Sequence, residues 1–255
     1  MGSAAPSAAG IGGLRSSDAM RIPCTSLLPP CLSKDDFGNF FCSIGCGSTT
    51  LFTCHLDTAS TEMLPVTHVF EGNIVKTDGS TLLGGDDKTG VAIMCYMMAR
   101  GVSGAFWFFI GEEVGCAGSQ AALNSRRDFF KQFRRVVAFD RRGYNSVITR
   151  QSGQDCCSAE FAEALSREMS REGLEYRPDN TGLWTDSATF MQLESPPEIT
   201  NLSTGCFDCH HTSEYVDLAF LEKVARVAAE VKWEDLPSKG VAARPTVSED
   251  VEWPS

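Results

Sequence analysis

The sequence predicts an α/β three-layer sandwich, a single domain in which helices cover both faces of a mostly parallel central sheet. Three observations lead there. Short runs rich in β-branched and aromatic residues alternate along the chain with stretches of helical period. The run Ala105-Phe106-Trp107-Phe108-Phe109-Ile110 is continuously apolar, the pattern of a strand buried on both faces. A length of 255 residues suits one such domain and is too short for two large ones. Strands separated by helices of this length pair in parallel across the helices between them.

Residues 1–19 are mostly Gly, Ala and Ser without periodicity; a flexible leader is expected there, with Met20 a natural start. The domain proper is expected over 20–232. Strands are predicted over 39–43 and 50–54, the second running into His55-Leu56-Asp57. A helix over 88–100 opens just behind Gly84-Gly85-Asp86-Asp87. The apolar strand 105–110 leads to Gly111-Glu112-Glu113, and a helix follows over 119–130. Strand 136–139 ends at Asp140. Strand 146–149, a helix over 158–172 and strand 198–202 continue the alternation, and the last strand runs through a short loop to His210. A final helix is predicted over 217–232, and the polar, Pro-containing stretch 233–255 reads as a loosely held tail.

Composition narrows the function. Hydrophobic residues make up 42% and charged residues 22%, enough for a sizeable core in a soluble protein. Thirty-three acidic against 22 basic residues give a formal charge of -11, which disfavours a nucleic-acid partner; the short Arg pairs at 126–127, 134–135 and 141–142 carry no interleaved aromatics. No apolar run approaches the ~20 residues of a membrane span. A basic start followed by an apolar stretch is also missing, so a cytoplasmic location is expected, with the eleven Cys as reduced thiols.

In sheets of the predicted kind, ligands bind beyond the carboxyl ends of the strands. Five separate segments deliver His or carboxylate side chains to that edge: His55 with Asp57, Asp86 with Asp87, Glu112 with Glu113, Asp140, and His210. Taken singly, Asp87 or Asp140 reads equally as a solvated loop carboxylate or a helix cap. Their coincidence at one edge points to a shared purpose. Two His and three carboxylates suit a pair of Zn²⁺ ions, and one further carboxylate is then needed to take a proton from water. The adjacent Glu112 and Glu113 can divide these two tasks, since consecutive side chains point in different directions.

The stretch 77–90, centred on Gly84-Gly85-Asp86-Asp87-Lys88, is similar to a segment of peptidase T. Together with His55-x-Asp57, Gly111-Glu112-Glu113-Val114-Gly115 and Thr204-Gly205-Cys206-Phe207-Asp208-Cys209-His210, it resembles the peptidase T and carboxypeptidase G type of co-catalytic zinc exopeptidase over roughly residues 38–232. The resemblance implies a zinc-exopeptidase (phosphorylase/hydrolase-like) fold holding two Zn²⁺, with Co²⁺ or Mn²⁺ as substitutes. It places His55 and Asp140 at one metal, Glu113 and His210 at the other, and Asp86 between them. Glu112 becomes the general base and Asp57 the partner that orients His55. Asp87 is expected to favour the helix dipole rather than bind metal. His210 is preferred over His211 because Glu214 stands four residues after it, as in the family; His68 falls outside every motif.

Other uses of these residues stay open at this level. Cys206-x-x-Cys209-His210 also matches a haem-attachment pattern, and Cys42, Cys46, Cys206 and Cys209 could hold a structural zinc. Cys156 and Cys157 suit small core positions. The chain departs from the family in having only 69 residues between Asp140 and His210, which leaves no room for the family's inserted lid domain. The expectation is a lidless, monomeric zinc exopeptidase, an aminopeptidase on short peptides with a free amino terminus, whose amine is held by Asp186 or Glu214. A deacylase or carboxypeptidase on the same metals, or a non-catalytic metal- or peptide-binding domain, is the alternative.

Overall fold

A computed structural model describes residues 32–60 and 64–239. The chain opens with β1 (Ser33–Lys34), β2 (Phe40–Ile44), β3 (Thr50–His55), β4 (His68–Glu71) and β5 (Ile74–Thr77). Helix α1 (Gly85–Ala99) leads to β6 (Gly104–Phe109), and α2 (Ala117–Ser125) and α3 (Arg127–Phe130) lead to β7 (Arg135–Arg141). Next come β8 (Ser146–Ile148), β9 (Arg150–Gln151), β10 (Gln154–Asp155), α4 (Ala159–Met169) and β11 (Arg177–Asp179). A 3₁₀ segment (Asp186–Gln192), β12 (Glu198–Ser203), β13 (Cys206–Phe207), β14 (Tyr215–Asp217), α5 (Leu218–Glu230) and a 3₁₀ turn (Trp233–Asp235) complete the fold.

Eight strands form the main sheet in the order β1-β2-β6-β3-β7-β12-β8-β11. Its centre, β6-β3-β7-β12, is parallel throughout. Antiparallel pairing is confined to the flanks, where β2 joins β6 and β8 joins β12. Alternate strand residues feed two separate cores. Phe52, Phe106, Phe108, Val137 and Phe139 pack under α1, α4 and α5. Leu51, Trp107, Phe109 and Val136 pack against α2, α3 and the 3₁₀ segment. This is the three-layer, largely parallel α/β architecture that the apolar runs predict.

Local chemistry starts the helices where the pattern expects them. Ser158 accepts the Phe161 amide at the head of α4, and Asp217 accepts those of Ala219 and Phe220 at the head of α5. In α1, Asp86 and Asp87 lie outside helical φ/ψ, so regular geometry begins at Lys88.

Two expectations need correcting, and one sheet was not anticipated. The helix predicted over 119–130 is two, broken where Arg126 takes φ -133 and ψ 37. The tail does not begin at 233. Trp233 and Leu236 are buried in the core, with the Trp233 ring 5.0 Å from Phe52, because two large apolar side chains supply more burial than the flanking polar residues oppose. A second, four-stranded antiparallel sheet, β13-β14-β5-β4, has no counterpart in the sequence reading. The leader at 1–19 and the tail beyond 239 lie outside the described residues.

Candidate metal centre

The carboxyl ends of β3 and β7, the loop after β6, the head of α1 and the β13–β14 turn converge on one point. Glycine makes the α1 approach feasible. Gly84 sits at φ +73, and a Cβ on Gly85 would lie 2.6 Å from Val216 and 3.0 Å from the Cys206 sulfur. The backbone can therefore press against the small sheet and present Asp86 to the strand ends.

Asp86 is the hub. Its Oδ1 lies 3.0 Å from His55 Nε2, and its Oδ2 lies 3.1 Å from His210 Nε2. Asp140 Oδ1 is 3.7 Å from His55 Nε2, and Glu113 Oε1 is 3.2 Å from His210 Nε2. Two triads of potential ligand atoms result, His55-Asp86-Asp140 and Asp86-Glu113-His210, each within 4.8 Å and sharing Asp86. Glu112 belongs to a further such group with His55 and Glu113. The structure thus gathers all six residues, and Asp57 stands just behind His55.

Each side chain is held by its surroundings. Asp57 accepts the amides of Gly111, Glu112 and Glu113 and lies 3.5 Å from His55 Nδ1, so one carboxylate sets both the imidazole and the Glu-Glu turn. Burial works against its charge, but hydrogen bonding to His55 keeps its carboxyl below the usual range. Asp140 Oδ2 accepts the Thr185 hydroxyl at 2.6 Å, and its amide donates to Asn201. Buried Asp87 accepts the amides of His55 and Gly90, capping the regular part of α1 and fixing the end of β3. It belongs to neither triad. Lys88 Nζ donates to the carbonyls of Leu56 and Asp57 and tightens the loop after β3.

Proton affinities describe the centre without cations. Burial depresses His55, yet hydrogen bonding to Asp140, Asp57 and Asp86 overrides it and drives its pKa well up. His210 is pushed up to about 9, chiefly by Asp86. Burial raises Glu113, and it lifts Glu112 to about 8 with help from the charge of Asp140. Asp86 and Asp140 move apart: burial raises both, but the two imidazoles hold Asp86 below the normal range, while Asp140 ends above it. The whole pattern reflects excess buried negative charge seeking protons.

The donor set fits metal ions. Both Nε2 atoms face carboxylate oxygens across a shared aspartate, and buried Glu113 Oε1 lacks a hydrogen-bond partner. Nitrogen and oxygen donors in this ratio suit divalent zinc or its neighbours.

The remaining expectations sort as follows. His210 faces the centre, whereas exposed His211 bonds the Cys209 carbonyl and His68 lies in β4 away from it. Glu214 is not free to meet a substrate amine. It is buried, and its two oxygens take the amides of Gly84 and Asp86, so it orients the hub instead. Asp186 is buried with both oxygens unpartnered. Of the four Cys considered for a structural zinc, Cys206 and Cys209 form a potential ligand group with Glu214, while among the described residues no such group contains Cys42 or Cys46. Thr185, Asn201 and Glu214's true task were missed by sequence reasoning. For Thr185 the available signal was its place next to Asp186, just before the 3₁₀ segment.

The sequence family makes the chain a peptidase. The sequence matches Peptidase family M28 over residues 46–230, and the chain belongs to that family. None of the curated proteins matches it. Among solved structures, the aminopeptidase PepT from Bacillus cereus ATCC 10987 is similar at 15% identity and a TM-score of 0.64, covering 78% of this chain and 87% of that one. A tripeptidase from Staphylococcus aureus subsp. aureus Mu50 is similar at 12% identity and 0.63, with the same coverage. Aminopeptidase APDkam598 from the archaeon Desulfurococcus kamchatkensis is similar at 15% and 0.58, covering 86% of this chain and 90% of that one. The TET1 peptidase of Pyrococcus horikoshii, 16% identical with a TM-score of 0.55 over 78% of this chain and 88% of that one, assembles into a tetrahedron or a large octahedral shell. The expected monomer therefore finds no support in these likenesses. No helix among the described residues is long and apolar enough to cross a membrane.

Proposed function

We infer that the protein is a metal-dependent aminopeptidase of the peptidase T kind, acting on short peptides with a free amino terminus and using two Zn²⁺ ions. The observation that carries this reading is Asp86, whose two oxygens face the imidazoles of two ligand triads. His55 and Asp140 would hold one metal and Glu113 and His210 the other, with Asp86 within reach of both. When bound, the metals polarise the scissile carbonyl and make water acidic at neutral pH.

The chain's residues do the rest. Glu112, in a group with His55 and Glu113, takes a proton on its carboxylate and returns it to the leaving amine. Asp57, 3.5 Å from His55 Nδ1, favours the proton there and leaves the Nε2 lone pair for a metal. Thr185 holds Asp140, and Glu214 holds the backbone of Asp86. Asp186, buried with both oxygens unpartnered, is the acid left for the substrate's ammonium group.

Metal analysis of the parent and of Asp86→Ala tests the reading directly. The parent should bind two metals per chain, and the variant should lose one together with activity and melt at a lower temperature in the same buffer. Two tightly bound metals in the variant would sink the assignment. Cleavage of aminoacyl amides in preference to N-acetylated peptides separates an aminopeptidase from a deacylase or carboxypeptidase.

A further inference from the structure

Beside the metal centre, in the short hairpin that carries His210, two thiols face each other. Cys206 in β13 is buried and Cys209 in the following turn is partly exposed. Their sulfurs are 3.4 Å apart. We propose that Cys206 and Cys209 are a redox-active dithiol, converted reversibly to an intramolecular disulfide that withdraws His210 from the metal centre.

Geometry supports both halves of the proposal. A disulfide requires sulfurs at ~2.0 Å, so closure needs a movement of little more than an ångström within one tight turn. The atoms that would feel it are the ones that build the site. Cys206 Sγ lies 3.4 Å from Glu214 Oε1, the same oxygen that accepts the Asp86 amide at 2.9 Å. Oxidation removes the S–H and leaves that buried carboxylate short of a donor. Cys206 also abuts Gly85, where a Cβ would be only 3.0 Å from its sulfur, so displacement presses on the residue before Asp86. Cys209 immediately precedes His210, whose backbone is already held in the left-handed region at φ +68. Drawing Cys209 toward Cys206 therefore pulls the imidazole from its 3.1 and 3.2 Å positions against Asp86 and Glu113.

The reaction balances with a low-molecular-weight disulfide such as glutathione disulfide as oxidant. The partly exposed Cys209 attacks through its sulfur one sulfur of glutathione disulfide, breaking its S–S bond, forming a mixed disulfide and releasing one glutathione thiolate. Cys206 sulfur then attacks Cys209 sulfur and displaces the second glutathione. The pair gives up two electrons and two protons, and both appear on two glutathione thiols.

The effect on activity rests on the aminopeptidase reading, whereas formation of the disulfide does not. The full-length protein is equilibrated in glutathione buffers of graded ratio, quenched in acid, alkylated and mapped by mass spectrometry, with zinc content and peptidase activity measured in parallel. The expected result is a Cys206–Cys209 peptide lighter by two hydrogens, reversible with dithiothreitol, accompanied by loss of about half the zinc. Cys209→Ser should keep its zinc and resist glutathione disulfide. Both cysteines alkylated at every ratio would overturn the pair, as would a further zinc ion in the reduced parent that Cys209→Ser lacks. A disulfide formed with zinc unchanged overturns the link to His210. A reduced, zinc-loaded protein without peptidase activity counts against the aminopeptidase reading alone and leaves the alkylation map intact.

Discussion

Glu112 and Glu113 share one turn, yet their surroundings divide their work. Glu113 Oε1 points at His210 Nε2 at 3.2 Å and belongs to an Asp86 triad, while Glu112 stands outside both triads. Glu112→Gln keeps the shape and removes the proton acceptor. Turnover should fall by roughly 10²–10⁴ with metal content near that of the parent. Glu113→Gln should instead lose metal, as read by elemental analysis after dialysis. The reverse pattern would mean that the two roles are exchanged. Asp57 shows how much one carboxylate can organise, since it accepts three successive amides of that turn as well as facing His55.

At the level of elements, the segment after α5 acts as a clip on the start of β3. Glu234 accepts hydrogen bonds from the Ser48, Thr49 and Thr50 hydroxyls and from the Thr49 amide. Buried Arg135 donates to the carbonyls of Glu234 and Leu236. Burial opposes the Glu234 charge, but the three hydroxyl donors win and hold its pKa below the ordinary 4.5. A carboxyl depressed in the folded state adds stability above its unfolded pKa and loses it as pH falls through the folded value. Glu234→Gln should therefore cost about 1 kcal/mol near neutrality, a modest figure because the group is partly exposed. The gap from the parent should close as denaturation is followed into acid below 4.5. A gap that stays constant there would contradict the account. Trp233→Ala removes a buried ring that also bonds the Ala228 carbonyl, and should cost about 3–5 kcal/mol in urea unfolding. A loosely held tail would show no such loss.

Across the whole molecule, what could be read in the sequence follows the strength of the local pattern. The central strands are continuously apolar, and α4 and α5 are strongly patterned and capped, so they announce themselves; α1 is long but weakly amphipathic and is marked instead by the Gly84-Gly85-Asp86-Asp87 run before its regular part. His55, Asp86 and Asp140 stand at strand or helix ends and Glu112 and Glu113 in the loop after β6, where the carboxyl-edge rule finds them, while His210 lies in the β13–β14 turn. The small sheet was illegible because its strands have only two to four residues and β5 pairs with β14 from far along the chain. Glu214 was misjudged for a related reason. Its spacing from His210 marked it as part of the site, but only the three-dimensional path of residues 84–86 shows that backbone amides consume its charge. The break at Arg126 leaves no mark on the period of 119–130, because both halves keep apolar residues facing one core.

The small sheet has a thermodynamic consequence. Its own apolar cluster holds just three buried residues, Val75, Cys206 and Val216, so alone it is a low-stability opening unit. Yet β5 leads into Asp86, and the β13–β14 turn carries His210, while His55 and Asp140 belong to the rigid main sheet. Ions bound between them would rivet the weak unit to the strong one. At free metal a hundredfold above Kd, the linkage is worth about 2.7 kcal/mol. Amide hydrogen exchange in β4, β5, β13 and β14 should accordingly slow about a hundredfold on metal addition and quicken again with a chelator, while β3, β6 and β7 hardly change. Uniform slowing across both sheets would show instead that the molecule opens only as a whole.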